Sequence, residues 1–152
     1  MRTPASIAGH PIHPMLVPIA IGLWIFSLVG DLFHAGGSAQ PAWTTVAYYC
    51  MGGGIAGALL AAVPGLIDLL SLPEGPRKTA IAHMTINLTV VALYAVNFWM
   101  RSGAPGDPGR LIWLSVIAIG LLVVSGWLGG KLVYELGVAV DTEPPQIPGA
   151  KR

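Results

Sequence analysis

Charge is scarce in this chain. Its 152 residues include eight Lys or Arg and seven Asp or Glu, so that 10% are charged, against about 25% in a typical soluble domain. That excludes an ordinary water-facing surface. The formal net charge of +1 supplies no basic footprint for a nucleic acid and no one-signed field to steer a partner. Cysteine is nearly absent too. Cys50 stands alone, which excludes an intrachain disulfide, and its place in an apolar run makes it a small buried side chain rather than a reactive thiol. The C-x-x-C-H, H-E-x-x-H, glycine-rich phosphate-loop and nucleophile-elbow patterns are also missing. No nucleophile can be paired with a base, so the chain is not expected to be an enzyme on its own.

What the chain has instead is apolar length. Hydrophobic residues make up 54% of it, and the mean hydropathy is +0.69. The apolar runs predict helices over Pro14–Phe33, Trp43–Leu70, Thr79–Met100 and Leu111–Tyr134. Each reaches the ~20 residues that cross about 30 Å of hydrocarbon. The first run is too long for the apolar core of a signal peptide, and Arg2 is the only positive charge ahead of it. The intervening segments GGSAQPA (36–42), SLPEGPRK (71–78) and RSGAPGDPGR (101–110) carry the Gly and Pro of loops. The expected fold is an all-α bundle of four transmembrane helices in one domain, residues 1–140. A proline-rich polar tail, 141–152, follows, poorly ordered or laid along a partner.

Helix packing and orientation leave their own marks. Gly53, Gly57, Ala61 and Gly65 recur every fourth residue, a small-residue stripe that lets membrane helices approach closely. Gly126 and Gly130, beside Ser125 and Gly129, suggest a second such pair. Pro64 is expected to kink helix 2 just before Asp68. On helix 3, His83, Asn87, Tyr94 and Asn97 share one face, and polar side chains within a span turn toward the protein interior. Six Lys or Arg (Arg2, Arg77, Lys78, Lys131, Lys151, Arg152) fall on the side of the termini and two (Arg101, Arg110) on the other. The positive-inside rule makes both termini cytoplasmic, and Trp43, Trp99 and Trp113 then form an aromatic belt at the outer interface.

The ligand-capable residues concentrate at GHPIHPMLVP, residues 9–18. Proline disfavours the helical region for the residue before it. His10 and His13 are therefore expected outside the helix, with His13 as N-cap and Pro14 as the first helical residue. A β-turn through Pro11 would bring the Cα atoms of His10 and His13 within about 7 Å; a polyproline path would hold them roughly 9 Å apart. At a helix N-terminus the imidazole of His13 is favoured in its neutral, metal-binding form. The topology collects Asp68, His83, Lys131 and Glu135 at the same end, while His34 lies about 30 Å away along helix 1. Simpler roles exist for most of these. Lys131 and Glu135 can snorkel and pair, Asp68 can cap the turn after helix 2, Asp31 and His34 can form an interfacial pair without a role, and His10 and His13 can bond loop carbonyls. His83, inside a span, needs a partner.

Three functional readings stay open. A b-type haem takes one histidine on each face from two different elements, which His83 with His10 or His13 would supply, Asn87 lying beside them in the cofactor site. A non-haem transition metal would gather His10, His13, His83 and Asp68 or water; Asp68 could instead fix a ring tautomer. The third reading is a proton or quinone path along Asp68, His83, Asn87 and Tyr94. From another class stands a non-catalytic accessory or assembly subunit packed against a larger membrane complex, supported by the glycine stripes and the thin polar inventory.

GHPIHPMLVP at the mouth of helix 1, VPGLIDLL ending helix 2, AHMTINL opening helix 3 and GWLGGKLVYELGVAV closing helix 4 resemble the domain-of-unknown-function 2231 family, small four-helix inner-membrane proteins of bacteria. The resemblance covers nearly the whole chain, and its most specific part is the His-Pro-x-His-Pro opening. Its pattern falls on His10, Pro11, His13, Pro14, Asp68, His83, Gly129 and Gly130. It implies the four-helix fold and a place in the bacterial cytoplasmic membrane, and no established activity. Relatives joined to, or encoded with, iron–sulfur or cytochrome-like proteins imply a redox setting. The expectation is a redox-linked haem- or metal-binding membrane subunit. Its partners would be the lipid bilayer and a membrane or redox protein, or further copies of the chain.

Overall fold

All four apolar runs are helical in the computed structural model, which describes residues 1–103 and 108–140. Helix α1 is Ile12–Ala35, α2 is Ala42–Ser71, α3 is Glu74–Arg101 and α4 is Ile112–Tyr134, the last entered through a 3-10 turn at Gly109–Leu111. Each of the four is long and apolar enough to cross a membrane. Among the described residues the remaining regular structure is one short antiparallel pairing, β1 (Ser6–Ile7) with β2 (His10–Pro11). Ala8 and Gly9 turn the chain between them at φ +50° and +81°, the left-handed pair that a two-residue hairpin takes.

The starts of α2 and α4 fall within one residue of those expected; those of α1 and α3 differ, and proline explains why. His13 lies inside α1, whose N-cap is Pro11, and Pro18 is accommodated further on. The bias against helix before a proline is a preference, and here the hairpin overrides it: the Ile12 amide bonds the Ala5 carbonyl at 2.9 Å and sets the chain on its helical path early. Helix α3 starts at Glu74 rather than Thr79. Its Pro76 falls in the first turn, where an amide has no intrahelical acceptor and its loss costs nothing. Glu74 suits the positive end of the dipole. Helix α2 continues through Pro64 to Ser71, and α3 takes in Arg101, which was expected in a loop. The tail, 141–152, lies outside the described residues.

Buried positions recur in heptad fashion. Gly30 aside, they are Ala20, Trp24, Ser27 and Asp31 in α1, Thr44, Ala47, Met51, Gly54, Ala61, Pro64 and Asp68 in α2, Pro76, Ala80, Val90, Tyr94, Asn97 and Arg101 in α3, and Ser115, Ala118, Ser125 and Leu132 in α4. Steps of three and four, or their sums, are the seam of a left-handed antiparallel bundle. Ala20, Trp24, Met51, Val90, Tyr94 and Ala118 form its apolar middle. Missing side chains bring α1 and α2 together. A Cβ added at Gly30 would lie 2.8 Å from the Trp43 carbonyl, and one at Gly54 would land inside the Trp24 indole. The expected stripe does face α1, since a Cβ would lie 3.2 Å from Leu23 at Gly53, 3.6 Å from Ala20 at Gly57 and 2.7 Å from His13 at Gly65; Gly54, outside that stripe, makes the closest approach. In α4 the expectation is corrected: a Cβ on Gly126 or Gly130 meets nothing within 4 Å, whereas Gly129 abuts His83.

The seam also carries a repeat. Helices α1 and α3 run parallel and meet along their length at residues i and i+70. His13 meets His83, Trp24 stacks on Tyr94 with ring centres 4.5 Å apart, and Asp31 pairs with Arg101. At these three levels α1 and α3 correspond as if related by a two-fold axis between them. Parallel repeats about an axis along the membrane normal are a recurrent membrane-protein architecture.

Candidate functional site

At the end of the bundle that carries the N-terminal hairpin, α1 and α3 each place one imidazole beside the axis. The His13 and His83 rings are half-buried, with centres 6.2 Å apart and planes at 87°. Both are seated in the same way. His13 Nδ1 donates to the Ala61 carbonyl at 2.7 Å, and His83 Nδ1 donates to the Ser125 carbonyl at 2.9 Å. Four residues beyond each carbonyl stands a glycine, which leaves bare backbone for the ring. A Cβ on Gly65 would lie 2.7 Å from His13 Nδ1, and one on Gly129 would lie 3.2 Å from the His83 ring. A carbonyl can only accept, so both rings carry their proton on Nδ1 and present Nε2 as a lone pair.

Beyond that point the rings differ. Asn87, one turn along α3, donates from Nδ2 to His83 Nε2 at 3.0 Å. The Ser125 hydroxyl donates to Asn87 Oδ1 at 2.8 Å and lies 3.0 Å from His83 Nδ1. His83, Asn87 and Ser125 therefore form a closed cycle. His13 Nε2 makes no such bond with the described residues. Neutral imidazoles with one nitrogen tied back to backbone are the form in which histidines are oriented toward a metal or a haem iron.

A family comparison is decisive for identity: the model described as "Predicted membrane protein (DUF2231)" matches residues 9–142. The chain belongs to this family. Comparison with curated proteins and with solved structures finds no match.

In this DUF2231 protein the other expected ligands lie elsewhere. His10 is exposed in the hairpin, its Nδ1 3.1 Å from the Ala8 carbonyl. No turn from His10 to His13 forms, because β2 runs directly into α1. Asp68 is buried and accepts the Ala5 amide on Oδ1 at 2.9 Å. It ties the N-terminal segment to α2 instead of orienting a histidine or capping the following turn. Among the described residues no three His, Cys, Asp or Glu side chains are placed to share a metal ion, so His10, His13, His83 and Asp68 do not assemble as one ligand set. Of the residues expected around a cofactor, His13 and Asn87 are the ones in contact with His83. Lys131 and Glu135 form the exposed pair expected of them, at 3.9 Å.

A second polar centre, which the sequence reading missed, sits at the opposite end of the DUF2231 bundle. Asp31 and Arg101 make a bidentate pair at 2.7 and 2.8 Å with no side-chain exposure. Arg101 Nε donates to Asn97 Oδ1 at 2.8 Å, and Asn97 Nδ2 donates to Ser115 Oγ at 3.0 Å and to the Leu111 carbonyl at 3.1 Å. The nearby Tyr94 hydroxyl makes no well-formed hydrogen bond with the described residues. Asp31 is thus paired across the bundle, not with His34. The signal was present in the face of α3, since Arg101 follows Tyr94 by one heptad.

Proposed function

We propose that this protein is a redox-linked subunit of the bacterial cytoplasmic membrane that binds a transition-metal ion or a haem iron through His13 and His83. The observation that carries the reading is the shared seating of the two rings. Each has Nδ1 fixed on a helix carbonyl, 2.7 Å for His13 and 2.9 Å for His83, which leaves Nε2 in its ligating form. Imidazole suits zinc, copper and iron, and haem ligation draws its two histidines from separate elements, here α1 and α3. An ion held about 2.0–2.1 Å from a nitrogen of each ring fits ring centres 6.2 Å apart when the rings lie on opposite sides of it. A bare ion would have to displace the Asn87 amide from His83 Nε2; a haem would also have to part the helices around the macrocycle. Further ligands would be water or groups from a partner.

Metal analysis and visible spectra of the purified protein test this, before and after addition of divalent metals or ferric haem. The parent should hold a metal, or show a Soret band that shifts on reduction, and both His13→Ala and His83→Ala should lose it. A parent that takes up neither overturns the reading. That outcome would favour the alternative, an accessory subunit packed in a larger membrane complex. Its support is the closed His83–Asn87–Ser125 cycle, in which His83 is satisfied with no ligand at all.

A further inference from the structure

The two histidines are seated alike on a helix carbonyl beside a glycine, and two differences between their surroundings act on His83. One turn beyond His13, α1 carries Val17; one turn beyond His83, α3 carries Asn87. Where α2 offers His13 the carbonyl of an alanine, Ala61, α4 offers His83 the carbonyl of a serine, Ser125. From this asymmetry, and resting on the two-histidine reading above, we propose that Asn87, held by Ser125, is a latch. It occupies His83 Nε2 and must turn aside before that nitrogen can take a metal ion.

The cycle runs in one direction. The Ser125 carbonyl accepts only, so His83 Nδ1 must donate and Nε2 must accept. Asn87 must then present Nδ2 to the ring, which leaves its Oδ1 for the Ser125 hydroxyl. Breaking it leaves half-buried polar groups without their partners, so an incoming ion competes with an intact bond. On the His13 side no described residue competes. His13 is therefore the open first ligand and His83 the gated second, and Asn87 is a positioning residue that acts through His83.

The test uses the full-length protein in detergent micelles, labelled with 15N and titrated with zinc ion against a chromophoric chelator. Asn87→Val copies the α1 half of the site and should bind zinc about tenfold more tightly than the parent, the worth of roughly one hydrogen bond. Ser125→Ala should give a smaller gain in the same direction. Without metal, Asn87→Val should move the His83 Nε2 resonance and leave that of His13 in place. In the parent, saturating zinc should shift the Asn87 side-chain amide. Binding by Asn87→Val equal to or weaker than the parent's overturns the latch and leaves the two-histidine site standing. A parent and variants that all ignore zinc, with histidine resonances unmoved, overturn the latch and the bare-ion form of the two-histidine reading together. Should Asn87→Val not fold, an Asn87 amide resonance unmoved by bound zinc in the parent is enough to reject the latch.

Discussion

A carboxylate and a guanidinium without solvent exposure persist in a membrane interior only as a pair. Asp31 and Arg101 satisfy each other through two bonds, and Asn97 takes a third donor. Removing either partner leaves the other as an uncompensated buried charge, at a cost of about 3–5 kcal/mol. Asp31→Ala and Arg101→Ala should each lower the midpoint of unfolding in micelles sharply, whereas the double replacement Asp31→Leu, Arg101→Met should lose far less. Equal losses for singles and double would show that the pair is not what the singles disrupt. Loop chemistry hid Arg101 from the sequence reading: Ser102 and Gly103 follow it, and a charge beside them reads as surface. Its helical phase said otherwise. Asp68 was misplaced for a different reason. Its partner is the amide of Ala5, and no side-chain pattern announces a backbone donor distant in sequence.

Between helices, the absence of a Cβ matters as much as any contact. Gly65→Ala should push the His13 ring off the Ala61 carbonyl, because the added methyl would lie 2.7 Å from Nδ1. A moved His13 resonance and a destabilised α1–α2 hairpin are expected. Gly129→Ala, at 3.2 Å from the His83 ring, should do the same more mildly. Gly126→Ala meets open space and should be neutral, or stabilising by up to ~1 kcal/mol through helix propensity. If all three variants melt alike, the glycines do not seat the rings. The four spans were legible from composition alone, since nothing else accounts for such long apolar runs with so few charges. The starts of α2 and α4 were legible to within one residue; those of α1 and α3 were not, because a proline preference is weak against a hairpin that fixes the chain before Ile12, and because the first turn of α3 accommodates Pro76. The stripe on α2 was seen, but a period of four drifts off a bundle face. The buried set, with Ala47, Gly54, Ala61 and Asp68 each seven apart, follows the supercoil instead. Of the candidate site, the meeting of His13 and His83 was legible from topology, and the face shared by His83 and Asn87 from periodicity. The Ser125 contribution was not, because it comes through a carbonyl as much as a hydroxyl.

Taken as a whole, the bundle is turned outward. Leu60, Val123 and Trp127 are 66%, 70% and 76% exposed, while serine, alanine, glycine and asparagine line the seams, as expected where lipid covers the outside and packing holds the inside. We expect both termini to be cytoplasmic. Engaging Arg101 with Asp31 strengthens that expectation, since it leaves Arg110 as the lone free cation among the described residues of the far side. Reporter fusions after residue 152 and at Pro105 check it; a periplasm-only reporter active at the C-terminus would reverse the orientation and put the histidine centre on the outer face. The i to i+70 correspondence has one more consequence. Were two identical hairpins to face each other across a true two-fold axis, every axial residue would meet its own copy. Two imidazoles tolerate that, and so do two stacked aromatic rings. At the level of Asp31 and Arg101, however, self-pairing would set carboxylate against carboxylate or guanidinium against guanidinium in a medium that screens neither. Neither half of this chain can therefore satisfy itself with a duplicate, and joining them in one polypeptide makes the recognition between halves obligatorily unlike-to-unlike.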